Sequence, residues 1–204
     1  MQVFAPIRFV LFCFFERRML LKVFVACSGE ENVEIKYRNL ASDVATSLVR
    51  LNHKLIFGGY DTGCSLKCYM TYRYESGKIK AILDVHDSKV LENIEVDAYE
   101  VLPSTFERNK LIYQASDMIL ILPGGIDSIN IFFSLIEETK KRNDKKPIIL
   151  FNYDNYYTPL LKFLESAHSH EFLSKEDIKL FSIVNDIKSL ERYLRIKDNE
   201  EERI

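Results

Sequence analysis

A chain of 204 residues that is 47% hydrophobic and 28% charged is long enough to bury one sizeable core and too apolar to be disordered. A net charge of −2, with lysines and arginines scattered rather than striped, leaves no electrostatic footprint for nucleic acid. The cysteines are Cys13, Cys27, Cys64 and Cys68; no Cys/His set at zinc spacing accompanies them, so they read as core thiols of a reducing, cytoplasmic protein without a metal.

The apolar run Phe9–Phe14 is too short to cross a bilayer, which takes about 20 apolar residues, and no small-residue cleavage site follows it. Residues 1–18 therefore read as an N-terminal extension outside the fold, with no membrane partner, and Met19 leads into the first strand, Val23–Cys27. Tyr37, Leu40, Ala41, Val44, Leu48 and Leu51 recur at helical spacing. Lys54–Phe57 is a second strand closed by Gly58-Gly59, Cys64–Tyr74 a helix, and Ile79–Leu83 a third strand. Residues 84–96 form a polar connection, Ala98–Leu102 a short strand, and Thr105–Gln114 a helix. The strand Met118–Leu122 runs into Pro123-Gly124-Gly125, after which Ile129, Phe132, Phe133 and Ile136 mark one helical face ending in Lys140-Lys141-Arg142. Pro147–Phe151 is a strand, and Thr158-Pro159 supplies an N-cap and a first-turn proline for a helix to Ala167. A strand at Leu180–Val184 and a helix over Asp186–Leu194 close the pattern.

Strands alternate with helices throughout, and several strands are apolar on both faces. That is the signature of a mostly parallel sheet with helices on both faces, here a single α/β, Rossmann-like domain over residues 19–196 followed by a charged tail at 197–204.

Four motifs in order carry a resemblance. Phe57-Gly58-Gly59-Tyr60-Asp61-Thr62-Gly63 resembles Y-G-G-G-x-x-G, and Glu107-Arg108 resembles the E-R of M-x-E-R-K. Pro123-Gly124-Gly125-Ile126-Asp127-Ser128-Ile129-Asn130-Ile131 resembles P-G-G-x-G-T-x-x-E, and the run from Asn152 to Leu161 resembles N-x-D-G-Y-Y-x-x-L-L. Together they resemble the LOG ("lonely guy") phosphoribohydrolases, often labelled lysine-decarboxylase-like. The resemblance implies a Rossmann-like homodimer that binds a nucleoside 5′-monophosphate and hydrolyses the base–ribose bond, without a cofactor. It implies a ligand cradle of Gly58, Gly59, Thr62, Gly63, Gly124, Gly125 and Ser128, with Arg108 anchoring the ligand.

The departures lie at the reacting centre. Ile131 takes the place of the family's glutamate and cannot stabilise a developing cation; beside Leu135, on a flank apart from the Ile129/Phe133 stripe, it reads as a packing or dimer-interface residue. Asp127 replaces the third glycine, where it reads as an N-cap, as a charge opposing phosphate, or as a replacement acid. Asn109 replaces a lysine. Three readings follow: a nucleotide-binding protein with hydrolysis weakened or lost, a non-catalytic dimeric scaffold with a vestigial pocket, or an active hydrolase that uses Asp127 or Glu107 as its acid.

Overall fold

The computed structural model describes residues 20–142 and 146–201, so the expectations for residues 1–18, for Met19 and for Cys13 lie outside the described residues. Seven strands, β1 (Lys22–Ala26), β2 (Lys54–Phe57), β3 (Ile79–Asp84), β4 (Ala98–Leu102), β5 (Met118–Ile121), β6 (Ile148–Phe151) and β7 (Ser182–Val184), form one sheet of order β4-β3-β2-β1-β5-β6-β7. All six pairings are parallel. The chain walks outward from β1 to β4, returns to place β5 beside β1, and then walks to the opposite edge.

The helices are α1 (Ile35–Arg50), α2 (Gly63–Tyr74), α3 (Thr105–Ala115), α4 (Ile126–Arg142), α5 (Thr158–Ser169), the four-residue α6 (Lys175–Ile178) and α7 (Ile187–Glu201). Alternate strand residues feed two cores. Val23, Val25, Leu55 and Leu120 face α1, α2 and α7, whereas Phe24, Ala26, Ile56 and Ile121 face α3, α4 and α5. Strands coated on both faces need apolar residues at every position, which explains the near-continuous hydrophobic runs such as Met118–Ile121.

The expected strands and long helices are present, with ends shifted by a few residues. α6, fastened by a reciprocal Ser174–Asp177 capping box, was not expected, and α7 continues past Leu194 to Glu201. Two local readings are corrected. Thr158 is the first residue of α5 rather than its N-cap; the cap position is Tyr157, whose amide donates to Asn152 Oδ1 at 2.7 Å. On α4 the core stripe is Ser128, Ile131, Phe132, Leu135 and Thr139, while Phe133 is 38% exposed. Ile131 and Leu135 are thus inside the monomer's own core, because α4 turns that flank toward β5 and α3. They are not an apolar strip waiting for a partner.

Candidate functional site

In an open parallel sheet, the crevice forms where neighbouring strands send the chain in opposite directions, beyond their carboxyl ends. Here that point lies between β1 and β5. A cleft of about 810 Å³ opens there, walled by Ser28–Asn32 after β1, by Tyr60 and Thr62 after β2, and by Gly125–Ser128 at the start of α4. The β1 and β2 loops are knitted together. Thr62 Oγ1 donates to the Gly29 carbonyl, and Ser65 on α2 donates its amide to Ser28 O at 3.0 Å. Gly63 has φ +59° and a Cβ there would fall 2.5 Å from Glu30 O, so both backbone conformation and space require glycine. The role of Thr62 and Gly63 is therefore to hold the cleft's wall; Thr62 also lines it.

The glycine turn is held from two sides. A Cβ on Gly124 would fall 2.1 Å from Ser128 Oγ, so the buried Ser128 hydroxyl folds back over the turn. From the segment after β6, Tyr156 Oη donates to Gly124 O at 2.9 Å and Tyr157 Oη donates to Leu122 O at 2.8 Å. Asp154 and Asn155, at φ 52° and 59°, provide the left-handed bend that brings both tyrosines round; Asx side chains tolerate that conformation best after glycine. The Asn152–Leu161 motif is thus the clamp that fixes the Pro123–Gly125 turn. Gly125 itself meets nothing within 4 Å and lines the cleft. The first-turn amides of α4 have no intrahelical acceptor, so the turn presents donors and the positive end of a helix dipole to the cleft.

Behind the cleft is a recess of about 10 Å³, room for about one water, bordered by Gly58, Gly59, Arg108, Asp127, Ser128 and Ile131. Arg108 is buried, and it is ion-paired rather than solvated. Its Nη1 donates to Asp87 Oδ2 at 3.0 Å and lies 3.7 Å from Asp84 Oδ2, and its Nε and Nη2 donate to Asn109 Oδ1 at 3.4 and 3.3 Å. Burial pushes the Asp84 carboxyl up, but the Thr105 hydroxyl, Arg108 and the amides of Asp87 and His86 outweigh it and hold it below the usual range. Burial, and then repulsion from Asp84, raises Asp87 despite Arg108. Ile131, 7% exposed, closes the recess with an apolar wall.

Asp127 sits one residue inside α4, which begins at Ile126, so it is a first-turn residue rather than the N-cap. Its Oδ2 accepts from Tyr60 Oη at 3.0 Å. Burial, then this bond, pushes the Tyr60 phenol up to about 12, so at neutral pH it is the donor. Asp127, Glu30 and Glu31 give the cleft an acidic lining, and among the described lining residues of cleft and recess the one Lys or Arg is Arg108.

Of the residues singled out in the sequence, Thr62, Gly125, Asp127 and Ser128 line the cleft, and Gly58, Gly59, Arg108 and Ile131 meet them in the recess. Gly63 and Gly124 shape the walls. Glu107 is exposed on α3, where its amide and carboxylate form a cap with Ser104, at 3.3 and 3.0 Å; it borders neither space and is not placed to act as an acid there. Cys27, Cys64 and Cys68 are free thiols; a bond with Cys68, then burial, holds the cleft-lining Cys27 well above its ordinary value, so it is a poor nucleophile. Asp84, Asp87 and Tyr60 were missed. The available signal was position: Asp84 is the last residue of β3 and Asp87 lies in the turn after it, and carboxyl ends of parallel strands face the crevice.

Comparison with known proteins bears on the family and the fold. Residues 72–194 match the family described as "Possible lysine decarboxylase". The chain is 23% identical over 168 residues to the cytokinin riboside 5′-monophosphate phosphoribohydrolase of Rhodococcoides fascians, covering 81% of this chain and 85% of that one. It is 26% identical over 157 residues to a rice protein (Oryza sativa subsp. japonica) named as a probable enzyme of the same activity, covering 75% of this chain but only 62% of the relative. Among solved structures, the molybdenum cofactor carrier protein of Chlamydomonas reinhardtii superposes with a TM-score of 0.64 at 14% identity, over 87% of this chain and 97% of that one. That likeness concerns the fold. The family match spans more than half of the chain, and the chain therefore belongs to the LOG family to which its four motifs pointed.

Proposed function

We propose that the cleft binds a nucleoside 5′-monophosphate or a close phosphorylated relative, and that hydrolysis of its base–ribose bond is weakened or lost. The observation that carries this reading is the contrast between the two ends of one helix turn. At its start, Gly125 and the first turn of α4, whose amides lack intrahelical acceptors, border the cleft, a setting suited to phosphate. One turn later, Ile131 stands where the family places its carboxylate, and an apolar side chain cannot balance an oxocarbenium-like ribose. Removing one transition-state stabilising group costs about 2.7–4 kcal/mol in other enzymes, enough to slow a reaction by two to three orders of magnitude. The exposed Ile126 at the lip offers an apolar surface to a base.

Incubation of the protein with a panel of nucleoside monophosphates, with binding followed by thermal shift and turnover by free-base release, tests both halves. Binding without measurable release supports the reading, and rapid release overturns the second half. In that event Asp127 is the acid to examine, since it borders both cleft and recess. The same reading expects a homodimer in the cytoplasm. With Ile131 and Leu135 inside the monomer, the face this assigns to a second copy is the α3–α4 surface, where Phe106 is 68% exposed beside Asn130 and Ser134. A clean monomer by light scattering at micromolar concentration would remove that part.

A further inference from the structure

Arg108 is the one Lys or Arg among the described residues that border the cleft or the recess, and each of its three nitrogens donates to a side-chain oxygen of its own chain, with a second N–H left on Nη1 and on Nη2. Asn109 Oδ1 takes Nε and Nη2, and Asp87 takes Nη1. The two nearby aspartates are not equivalent. Asp84, 2% exposed, accepts from Thr105 Oγ1 at 2.7 Å and from the amides of His86 and Asp87 at 3.0 and 3.3 Å, so its oxygens fasten the turn after β3. Asp87 holds Arg108 through one bond and keeps 23% of its side chain exposed. Asp84 and Asp127 both repel its negative charge. A carboxylate so placed is an internal anion on the arginine, fixed more loosely than its neighbour and with an exit to solvent.

We propose that Asp87 sets the selectivity of this site between phosphorylated and unphosphorylated nucleosides: its carboxylate neutralises Arg108 in place of a ligand anion, so a nucleotide must compete with it for the guanidinium's charge. A nucleoside, which carries no anion, enters the cleft without that competition. Asp87 acts through Arg108 and is a positioning residue. The inference rests on the nucleotide-site reading above.

The test is calorimetric titration of the full chain and of Asp87→Asn with AMP and with adenosine. Loss of the internal carboxylate should raise the ratio of AMP to adenosine affinity by about tenfold, the effect of one regained charge-assisted hydrogen bond, while adenosine affinity stays within about twofold. Adding Arg108→Gln should abolish the gain, because the gain is routed through the guanidinium. Asp87→Ser is the second variant should the asparagine protein not fold; if neither folds, Asp87 is a structural residue and the proposal falls. An unchanged ratio in a folded variant that still binds adenosine and AMP overturns the role of Asp87 alone. If neither probe binds any form of the protein, the nucleotide-site reading fails, and this inference with it.

Discussion

The Tyr60 hydroxyl donates to Asp127 Oδ2 at 3.0 Å, joining the loop after β2 to the first turn of α4 at the boundary between cleft and recess. Part of the upward push on the Tyr60 phenol, to about 12, comes from this carboxylate. Neutralising it in Asp127→Asn should therefore lower the Tyr60 midpoint toward the ordinary value of about 10, without reaching it because burial remains. Carbon-labelled tyrosine NMR across an alkaline titration reads this directly, and an unmoved midpoint would mean that the bond does not form in solution.

The same bond bears on repair of catalysis. Ile131→Glu restores the family carboxylate, but at a buried position, where an unpaired charge lowers stability by roughly 3–5 kcal/mol. Alone it should give little base release, because Asp127 still opposes an anion at the helix start. Asp127→Gly removes that charge, frees Tyr60 and restores the family's glycine. Positions 127 and 131 are i and i+4 neighbours, so the two effects on AMP turnover should be more than additive. Strict additivity in measured rates would show that the two side chains act independently.

Much of the frame was legible because short-range rules decide it: the strands Lys54–Phe57 and Ala98–Leu102 have the bounds read from the sequence. The α4 stripe misled for a physical reason. Helix periodicity defines a face only to within about one residue, so Phe133 and Leu135 compete for it, and only the orientation against β5 and α3 decides that Leu135 is buried. At the candidate site, the motifs singled out Arg108, Gly125 and Ser128, which border the cleft or the recess. The partners of Arg108 were not legible, because Asp84 and Asp87 lie 24 and 21 residues away and reach it only once β3 and α3 pack together.

The two turn glycines should separate structure from binding. Gly124→Ala meets Ser128 Oγ and Cβ at 2.1 and 2.8 Å and should lower the thermal midpoint. Gly125→Ala meets no atom within 4 Å, so the fold should keep its midpoint while nucleotide affinity falls, the methyl standing where a phosphate would approach. Equal midpoints for both variants would contradict the packing around Gly124.

The tyrosine clamp should also be unequal. Tyr157 Oη is buried on Leu122 O, so Tyr157→Phe strands a carbonyl and should cost about 1–3 kcal/mol in denaturant unfolding. Tyr156, 40% exposed, lets water replace its bond to Gly124 O, and Tyr156→Phe should cost about 1 kcal/mol or less. The reverse order would show that the clamp acts mainly through Tyr156.

The pairing of β1 with β5 has a consequence for the gauge of the whole opening. Val23 sits opposite Met118 and Ala26 opposite Ile121, so Ser28–Gly29 and Gly124–Gly125 leave the sheet at nearly the same level. A slip of one residue would move one wall by about 3.3 Å along the strand and turn every β5 side chain to the opposite core. Because each face of β5 is fully coated, no such slip is tolerated, and the span between the two walls is fixed by hydrophobic alternation far beneath it. Chain segments at the rim are thereby free to change their chemistry, as Asp127 and Ile131 have, without altering the reach of the opening they border.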